Sequence, residues 1–448
     1  MKKNGEKSYE GNFASLLEGI GLSHEEIDRL AREAGMVKRT PRKISAQTLV
    51  CLLLQESVRG TVSYNDLAAR LEAAEGISVS KQAIWKRVNA PCSDLIKAVL
   101  AAAIIAKMPM GGEDLAKSCG KYSRVLVQDS TVLQLPSRLF SEFSGVSNGT
   151  SSTCNARIQA TYDLLGEEFV SFSIDPYSKN DLLAAPELEL REGDLSLRDR
   201  GYLVYDEIQR HVECGADCIY RHKHGNVYLD PVCGKPIDLA ALLAMKNSLD
   251  MVVVLNNDAK TKVRLVAVPA SEETVNLHRM NARKQLRGHN PSEEYLHMLS
   301  WTIFITTIPK SEASFEQLLV IYGFRWRIEV VFKSWKSNMG FAEIHNVSSN
   351  QMKVLIAARL AMIVIVSHFG YTLAARRICR CYGKALSMMK ATRYFMLNPK
   401  KILELVTALM KTTGMHPVFD VLARYCTYDV RKRKNFSEEW QDFCGSYS

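Results

Sequence analysis

The chain has 448 residues, of which 47% are hydrophobic and 24% charged, and it carries a net charge of +10. This composition excludes an intrinsically disordered protein, and the length predicts two to four folded domains because it exceeds what one hydrophobic core usually serves. The eleven cysteines are spread too widely to suggest a disulfide framework. With no N-terminal signal pattern, they favour a reduced cytoplasmic setting.

The positive charge lies at the two ends of the chain. Residues 1–120 carry 17 Lys and Arg against 14 Asp and Glu, residues 341–448 carry 16 against 7, and the middle is left with a net charge of about −2. Basic flanks suit an anionic partner such as DNA. The longest apolar run, Val354 to Ala375, is interrupted by Arg359 and His368, so it predicts a buried helix and no membrane span.

Residues 1–115 predict a helical N-terminal domain with almost no strand signal. Its segment SYNDLAARLEAAEGISVSKQAIWKRV pairs two short helices around a turn at Gly76 to Ser80, the arrangement of a helix-turn-helix. On the second helix, Gln82, Lys86 and Arg87 could reach phosphates or base edges of DNA. The alternative is a plain helical hairpin, which is common in helical proteins.

From residue 116 to 222 the pattern changes to short strands. RVLVQDSTVLQL predicts two adjacent strands with Asp129 at the end of the first, and ARIQATYDLL and EEFVSFSI predict a hairpin joined at Gly166. A helix then precedes a strand that ends at Asp199, followed by a further helix and the strand CIYRH. Three strands in a meander followed by alternating helices and strands are the order of a ribonuclease H-like α/β fold, so we expect both acids at one point near the top of the sheet.

The same patterns predict the structure of residues 223–448. Residues 223–308 contain the strand candidates DMVVVL, KVRLVAV and SWTIFITT and predict a β-rich insertion. The catalytic core is expected to resume over residues 309–345, and residues 346–448 predict a helical C-terminal region for contacts with DNA ends or for dimerisation.

The segment Ile321 to Gly340 predicts an amphipathic helix with chemistry on one face. Helical periodicity puts Tyr322, Arg325, Glu329 and Lys336 on a narrow stripe, beside an apolar face that can pack on the sheet. A carboxylate flanked by two cations and a phenol suits polyanion chemistry, since the acid can hold a divalent cation while Arg and Lys neutralise phosphates. The alternative is a solvated helix face.

Other acids and a zinc site were weighed against this interpretation. Four acids of the core region, Asp163, Asp175, Asp181 and Asp194, occur in hairpins, turns or helix starts, where an acid is structurally ordinary. The residues Cys214, Cys218, His222, His224 and Cys233 do not match the common zinc spacings. Zinc is therefore the weaker expectation.

Three blocks in order resemble the DDE transposases of the insertion-sequence-four family. DSTVLQLP at Asp129 resembles the first acidic block and DRGY at Asp199 the second, while the spacing of Tyr322, Arg325, Glu329 and Lys336 resembles the Tyr-Arg-Glu-Lys signature. The resemblance implies Asp129, Asp199 and Glu329 as catalytic and metal-binding carboxylates, with Mg²⁺ as cofactor and Mn²⁺ as a possible substitute.

The resemblance also implies a function and partners. Such enzymes cut double-stranded DNA at the inverted repeats of their own element and join the freed 3′-hydroxyl to target DNA, in several cases as a dimer that bridges two ends. Tyr322, Arg325 and Lys336 would contact phosphates, and Trp301 would stack on a flipped base, although a core aromatic is nearly as well supported. Two alternatives stay open: a catalytically inactive helix-turn-helix regulator, and a ribonuclease H-like nuclease without strand transfer.

Overall fold

A computed structural model describes most of the chain. The described residues are 9–39, 43–59, 63–106, 121–147, 152–285, 291–344, 347–398, 401–402, 404–405, 417–428, 439–440 and 442. Over these residues the chain forms one large mixed sheet with helices packed around it, which confirms the predicted α/β class. The basic run from Arg431 to Lys434 and most of a helix predicted from Pro399 lie outside the described residues.

The N-terminal region is helical, as predicted. Side chains placed just before the helices stabilise their first turns: Ser45, Ser63 and Ser80 each accept a hydrogen bond from a backbone N–H three residues later, and Asn89 does the same. The helices are α1 (Tyr9–Gly19), α2 (His24–Glu33), α3 (Ala46–Ser57), α4 (Tyr64–Glu75), α5 (Lys81–Arg87) and α6 (Ala90–Ile105).

The first part of the sheet has the predicted order. Its elements are β1 (Arg124–Gln134), β2 (Ser144–Ser147), β3 (Ser152–Asp163), β4 (Glu168–Pro176), α7 (Asp181–Ala184), β5 (Asp194–Arg198), α8 (Tyr205–Cys214) and β6 (Asp217–Arg221). Strand β3 pairs antiparallel with β1 and β4, while β5 pairs parallel with β1 and β6 parallel with β5. A meander is thus followed by two parallel strands, with α8 connecting β5 to β6.

The expectation of two strands around Asp129 is wrong. RVLVQDSTVLQ forms the single strand β1, which pairs with β3 without interruption from Leu126 to Gln134. Two polar side chains at its centre find partners distant in sequence: Gln128 Nε2 donates to the carbonyl of Pro186, and Ser130 donates to Asp181. Gln128 Oε1 is buried without a hydrogen-bond partner among the described residues.

In the structure, residues 223–308 combine strands with helices. These residues form β7 (Tyr228–Leu229), α9 (Leu239–Met245), β8 (Leu249–Leu255), β9 (Lys262–Pro269), α10 (Glu272–Gln285), α11 (Glu293–Met298) and β10 (Trp301–Thr306). Strand β10 pairs antiparallel with β6, and β9, β8 and β7 follow, so these strands continue the same sheet. That they form an insertion separable from the core stays a prediction.

The helix predicted over Ile321 to Gly340 is longer and has a break. It consists of α12 (Phe315–Gly323), a 3₁₀ turn (Phe324–Trp326) and α13 (Arg327–Asn338). The C-terminal end of the chain packs against it, since Glu439 pairs with Arg327 at 3.2 Å and Trp440 lies against Phe324. The turn brings Arg325 to the inner side, where it is buried.

The C-terminal helices share a core with the N-terminal ones. They are α14 (Ser349–Val364), a π-helical segment (Ile365–Thr372), α15 (Leu373–Tyr382), α16 (Met388–Leu397) and α17 (Pro417–Tyr425). The stretch Ser349–Tyr382 is long and apolar enough to cross a membrane, but 89% of its most apolar window is buried inside the protein, as in a core helix. Buried Arg359 connects the regions by donating to the carbonyls of Ser57 and Phe341.

Candidate active site

Two carboxylates meet where the pairing between β1 and β5 ends. The last parallel pair in the register is Gln128 with Arg198, so Asp129 and Asp199 occupy the next positions of the two adjacent chains. Asp129 lies in the middle of β1, while Asp199 follows β5 directly and precedes a 3₁₀ turn at Arg200–Tyr202. The two acids therefore lie side by side, although only one of them ends a strand.

The third carboxylate comes from the helix. Glu329 lies in the first turn of α13, four residues after Arg325. A cavity of about 470 Å³ opens between this helix and the sheet, and Asp129, Asp199 and Glu329 all line it. The structure thus brings together the three acids that the sequence predicts, from elements 70 and 130 residues apart.

Arg325 holds two of these acids together. Its Nη1 lies 3.0 Å from Asp129 Oδ2, and its Nη2 lies 3.2 Å from Glu329 Oε1. Its Nε is buried without a hydrogen-bond partner among the described residues, and its guanidinium lies 5.0 Å from the ring centre of Trp326. A buried cation bonded to two acids neutralises part of the negative charge that the cavity concentrates.

The environment of the cavity disfavours the charged form of Asp129. Burial raises the pKa of Asp129 to about 6, and the nearby carboxylates of Glu329 and Asp199 add to the rise, while Arg325 opposes it. Burial also raises the pKa of the Tyr322 hydroxyl to about 12, with a further rise from Asp199. A displaced pKa in a cleft is typical of functional carboxylates.

The three acids have the donor chemistry of a divalent-metal site but not its arrangement in this structure. Their oxygens are the donors that hard divalent cations prefer. Among the described residues, however, no three His, Cys, Asp or Glu side chains are grouped closely enough to hold a metal ion, and Arg325 occupies the position between Asp129 and Glu329. The donor chemistry fits a divalent cation, whereas the arrangement is that of an ion-paired cluster.

The zinc alternative gains no support from these residues. Cys218 lies buried in β6, as expected for a strand residue, while Cys214 and Cys233 are exposed. The four rival acids have structural partners. Asp163 accepts three backbone N–H groups, Asp175 pairs with Lys179, Asp181 with Arg157, and Asp194 with Arg124.

The other predicted residues have different surroundings. The Tyr322 hydroxyl donates to the carbonyl of Arg198 at 3.3 Å, and its buried ring packs on Phe304. Trp301, the first residue of β10, is 9% exposed and lines the cavity, so it is both a core residue and part of the wall. Lys336 is exposed and is not among the residues that line the cavity.

The cavity wall also contains residues that the sequence does not predict as part of the site. Trp326, 59% exposed, lies beside the carboxylates, and its position between two arginines in FRWRIE was the available signal. Other residues of the wall come from several separate segments of the chain, and most have no local signal that marks them as neighbours of the carboxylates. That wall includes Arg200, Arg221, His222, His224, His278, Asn281 and Tyr295.

Comparisons with known proteins point to one family. Residues 121–365 match the family model described as Transposase DDE domain, a range that includes all three carboxylates. The chain is 26% identical over 370 residues to the transposase for insertion sequence element IS231D of Bacillus thuringiensis subsp. finitimus, with 77% of each chain covered. It is 22% identical over 441 residues to the transposase for IS1151 of Clostridium perfringens, with 92% of each covered.

Among solved structures, a piggyBac transposase synaptic complex with hairpin DNA is similar with a TM-score of 0.44 and 10% identity, over 92% of this chain and 84% of that one. The family match carries the assignment, because it spans 245 of the 448 residues. The chain therefore belongs to the DDE transposases, enzymes that cleave DNA and transfer its strands.

Proposed function

We propose that this transposase moves its element by a cut-and-paste route, cleaving DNA at the terminal inverted repeats and joining the freed 3′-hydroxyl ends to target DNA. One observation carries the proposal: Asp129, Asp199 and Glu329 line a single cavity although they come from a strand, a strand end and a helix. Phosphodiester cleavage by metal ions needs such a cluster of carboxylates, whereas a fold without catalysis has no need of it.

We also assign the chain to the insertion-sequence-four family and its core, residues 116–222 and 309–345, to the ribonuclease H-like folds. The order β4-β3-β1-β5-β6, with β3 antiparallel and β5 and β6 parallel to β1, supports the fold assignment. The family assignment is supported by the three motifs and by the cavity that their acids line.

Asp129, Asp199 and Glu329 would hold Mg²⁺, or Mn²⁺ in its place. When bound, such ions activate the attacking oxygen and stabilise the leaving one. Binding would require Arg325 to release Asp129 and Glu329, which it bonds at 3.0 and 3.2 Å. The same guanidinium would then be available to a phosphate, the ligand that its planar geometry suits.

The proposal assigns further residues to DNA. Tyr322 and Lys336 would contact phosphates, and Trp301 would stack on a base. Of these, Trp301 and Tyr322 line the cavity, which supports them more directly than exposed Lys336. A flipped base would need the ring of Trp301, 9% exposed, to become accessible.

The helical regions have roles outside catalysis. We propose that residues 1–115 bind the transposon ends, that residues 346–448 contribute end contacts or dimerisation, and that a homodimer bridges two ends in the DNA complex. The net charge of +10 supports a nucleoid-associated enzyme in the cytoplasm.

A supercoiled plasmid that carries the element with its flanking repeats tests the proposal. We expect purified protein and Mg²⁺ to release the element and to join it to a second plasmid, with junctions identified by sequencing. Cleaved ends without joined products would indicate a nuclease, and bound but uncut DNA would indicate a regulator. Either result would contradict the cut-and-paste assignment.

A further inference from the structure

The second helix of the predicted helix-turn-helix has a fixed orientation. Gly76 ends α4 in the left-handed conformation (φ +65°), and the Ser80 side chain accepts the N–H of Ala83 to start α5. Ile84 and Leu71 are fully buried between the helices. The side of α5 opposite Ile84 must therefore face outward.

Arg87 is not on that outward side, which corrects the expectation that it reaches DNA. Its Nη1 donates to the carbonyl of Ile44 at 2.7 Å, and burial lowers its pKa. In addition, Lys43 donates to the carbonyl of Ser78 at 3.3 Å, which ties the α2–α3 connection to the turn. Arg87 thus supports the helix from inside.

The outward side of α5 consists of Lys81, Gln82, Trp85 and Lys86, which we call the α5 face. Helical geometry puts the four on an arc of about 140°. All four are exposed, Trp85 to 55%, and none has a side-chain partner among the residues that the structure describes. From Gly76 to Ser93 the sequence contains no Asp or Glu.

Trp85 thus presents an exposed aromatic ring between the cations of Lys81 and Lys86, the combination of side chains typical of a nucleic-acid surface. The charge selects an anionic partner, and a protruding short helix has the width that the major groove admits. Two of these side chains can recognise particular bases. Gln82 can form hydrogen bonds with the N6 and N7 atoms of adenine, and the indole ring of Trp85 can pack on the methyl group of thymine.

We propose that the α5 face enters the major groove of duplex DNA, where Gln82 and Trp85 read adjacent A·T pairs and Lys81 and Lys86 contact the flanking phosphates. This inference rests on the proposed function, because it names the part of the enzyme that recognises the element ends. It makes Trp85 a specificity-determining residue that is separate from the catalytic cavity.

Selection from a randomised duplex library with the full-length protein tests the inference. We expect the wild type to enrich a motif containing A·T pairs, and W85A to lose the preference at one of them and to bind the wild-type motif about tenfold more weakly. I105A, which truncates another exposed hydrophobic residue of the N-terminal region, 74% exposed, should enrich the wild-type motif. The double variant K81A/K86A should weaken binding to all sequences and reduce the salt dependence by about two phosphate contacts.

An unchanged motif and affinity for W85A would overturn the inference, and so would a wild-type protein that enriches no motif. Thermal unfolding of each variant checks that the fold is intact. Failure of the proposed function is distinguishable: if the protein never cleaves a donor plasmid but its motif still depends on Trp85, the α5 face stands and the transposition proposal falls.

Discussion

Replacing Asp129 with Asn should stabilise the fold at neutral pH while removing one of the three acids proposed to be catalytic. Burial raises the pKa of Asp129 from 3.8 to about 6, so its charged form at neutral pH is about 3 kcal/mol less favourable in the folded chain than in the unfolded one. An amide of the same shape carries no charge to desolvate. The amide oxygen can keep the hydrogen bond that Asp129 Oδ1 accepts from the Ser130 N–H at 2.8 Å, but the amide NH₂ would face Arg325. We therefore expect a net gain of about 1 to 2 kcal/mol, less than the full electrostatic penalty.

The stability gain of D129N over wild type should increase with pH. The pKa of Asp129 is higher in the folded state than in the unfolded state, so below pH 3.8 the carboxyl is protonated in both and does not destabilise the fold. The destabilisation by its charge grows as the pH rises to about 6 and is complete above that pH. Urea unfolding of wild type and D129N, in EDTA at a series of pH values, measures this directly. The two proteins should have similar stability near the acid limit and diverge as the pH rises.

Asp163 provides the matched control. Burial raises its pKa to about 6 as well, but its carboxylate accepts N–H groups of Val125, Leu165 and Gly166 at 3.0, 3.1 and 3.1 Å. An amide NH₂ would face one of these donors, so D163N should lose stability, by about 1 to 3 kcal/mol. The reasoning is refuted if D129N is no more stable than wild type at pH 7.5, or if both variants shift in the same direction.

Three further changes test other parts of the structure. Arg325→Gln removes the cation that bridges Asp129 and Glu329, so DNA-free protein should bind Mn²⁺ more tightly by calorimetry, and an unchanged affinity would contradict a bridging role. Tyr202→Phe leaves buried Gln159 without its 2.7 Å hydrogen bond and should cost about 1 to 2 kcal/mol in urea unfolding, whereas no loss would mean that water replaces the hydroxyl. Arg359→Ala removes the donors between the N- and C-terminal helices and should destabilise the chain by at least about 2 kcal/mol, so wild-type stability would show that the helices do not depend on it.

Local patterns predicted most of the fold. The N-terminal helices agree with the sequence because their capping side chains and apolar periodicity are local signals. The polar centre of β1 made the prediction of two strands wrong, because Gln128 and Ser130 donate to Pro186 and Asp181, which are distant in sequence. A break within a charged stripe cannot be seen from periodicity, so the 3₁₀ turn that buries Arg325 was also missed.

In the site, too, the features that depend on local sequence could be predicted and those that depend on tertiary contacts could not. The three acids could be named because each occurs in a recognisable block, and the cavity contains all of them. The ion pairs of Arg325 with Asp129 and Glu329 depend on how the helix packs over the sheet, and the sequence carries no signal for that contact. Arg221 could not be predicted because only tertiary packing makes it a neighbour of the acids.

The central claim is that one cluster of three carboxylates cleaves DNA. Glu329→Gln tests it most directly, because the change removes a charge without altering the length of the side chain, and K333Q provides a control at an exposed position on the same helix. With Mg²⁺ and a supercoiled donor plasmid, we expect E329Q to lose cleavage by at least about a thousandfold while it retains binding to the element ends. Cleavage by E329Q at the rate of wild type and K333Q would contradict the account.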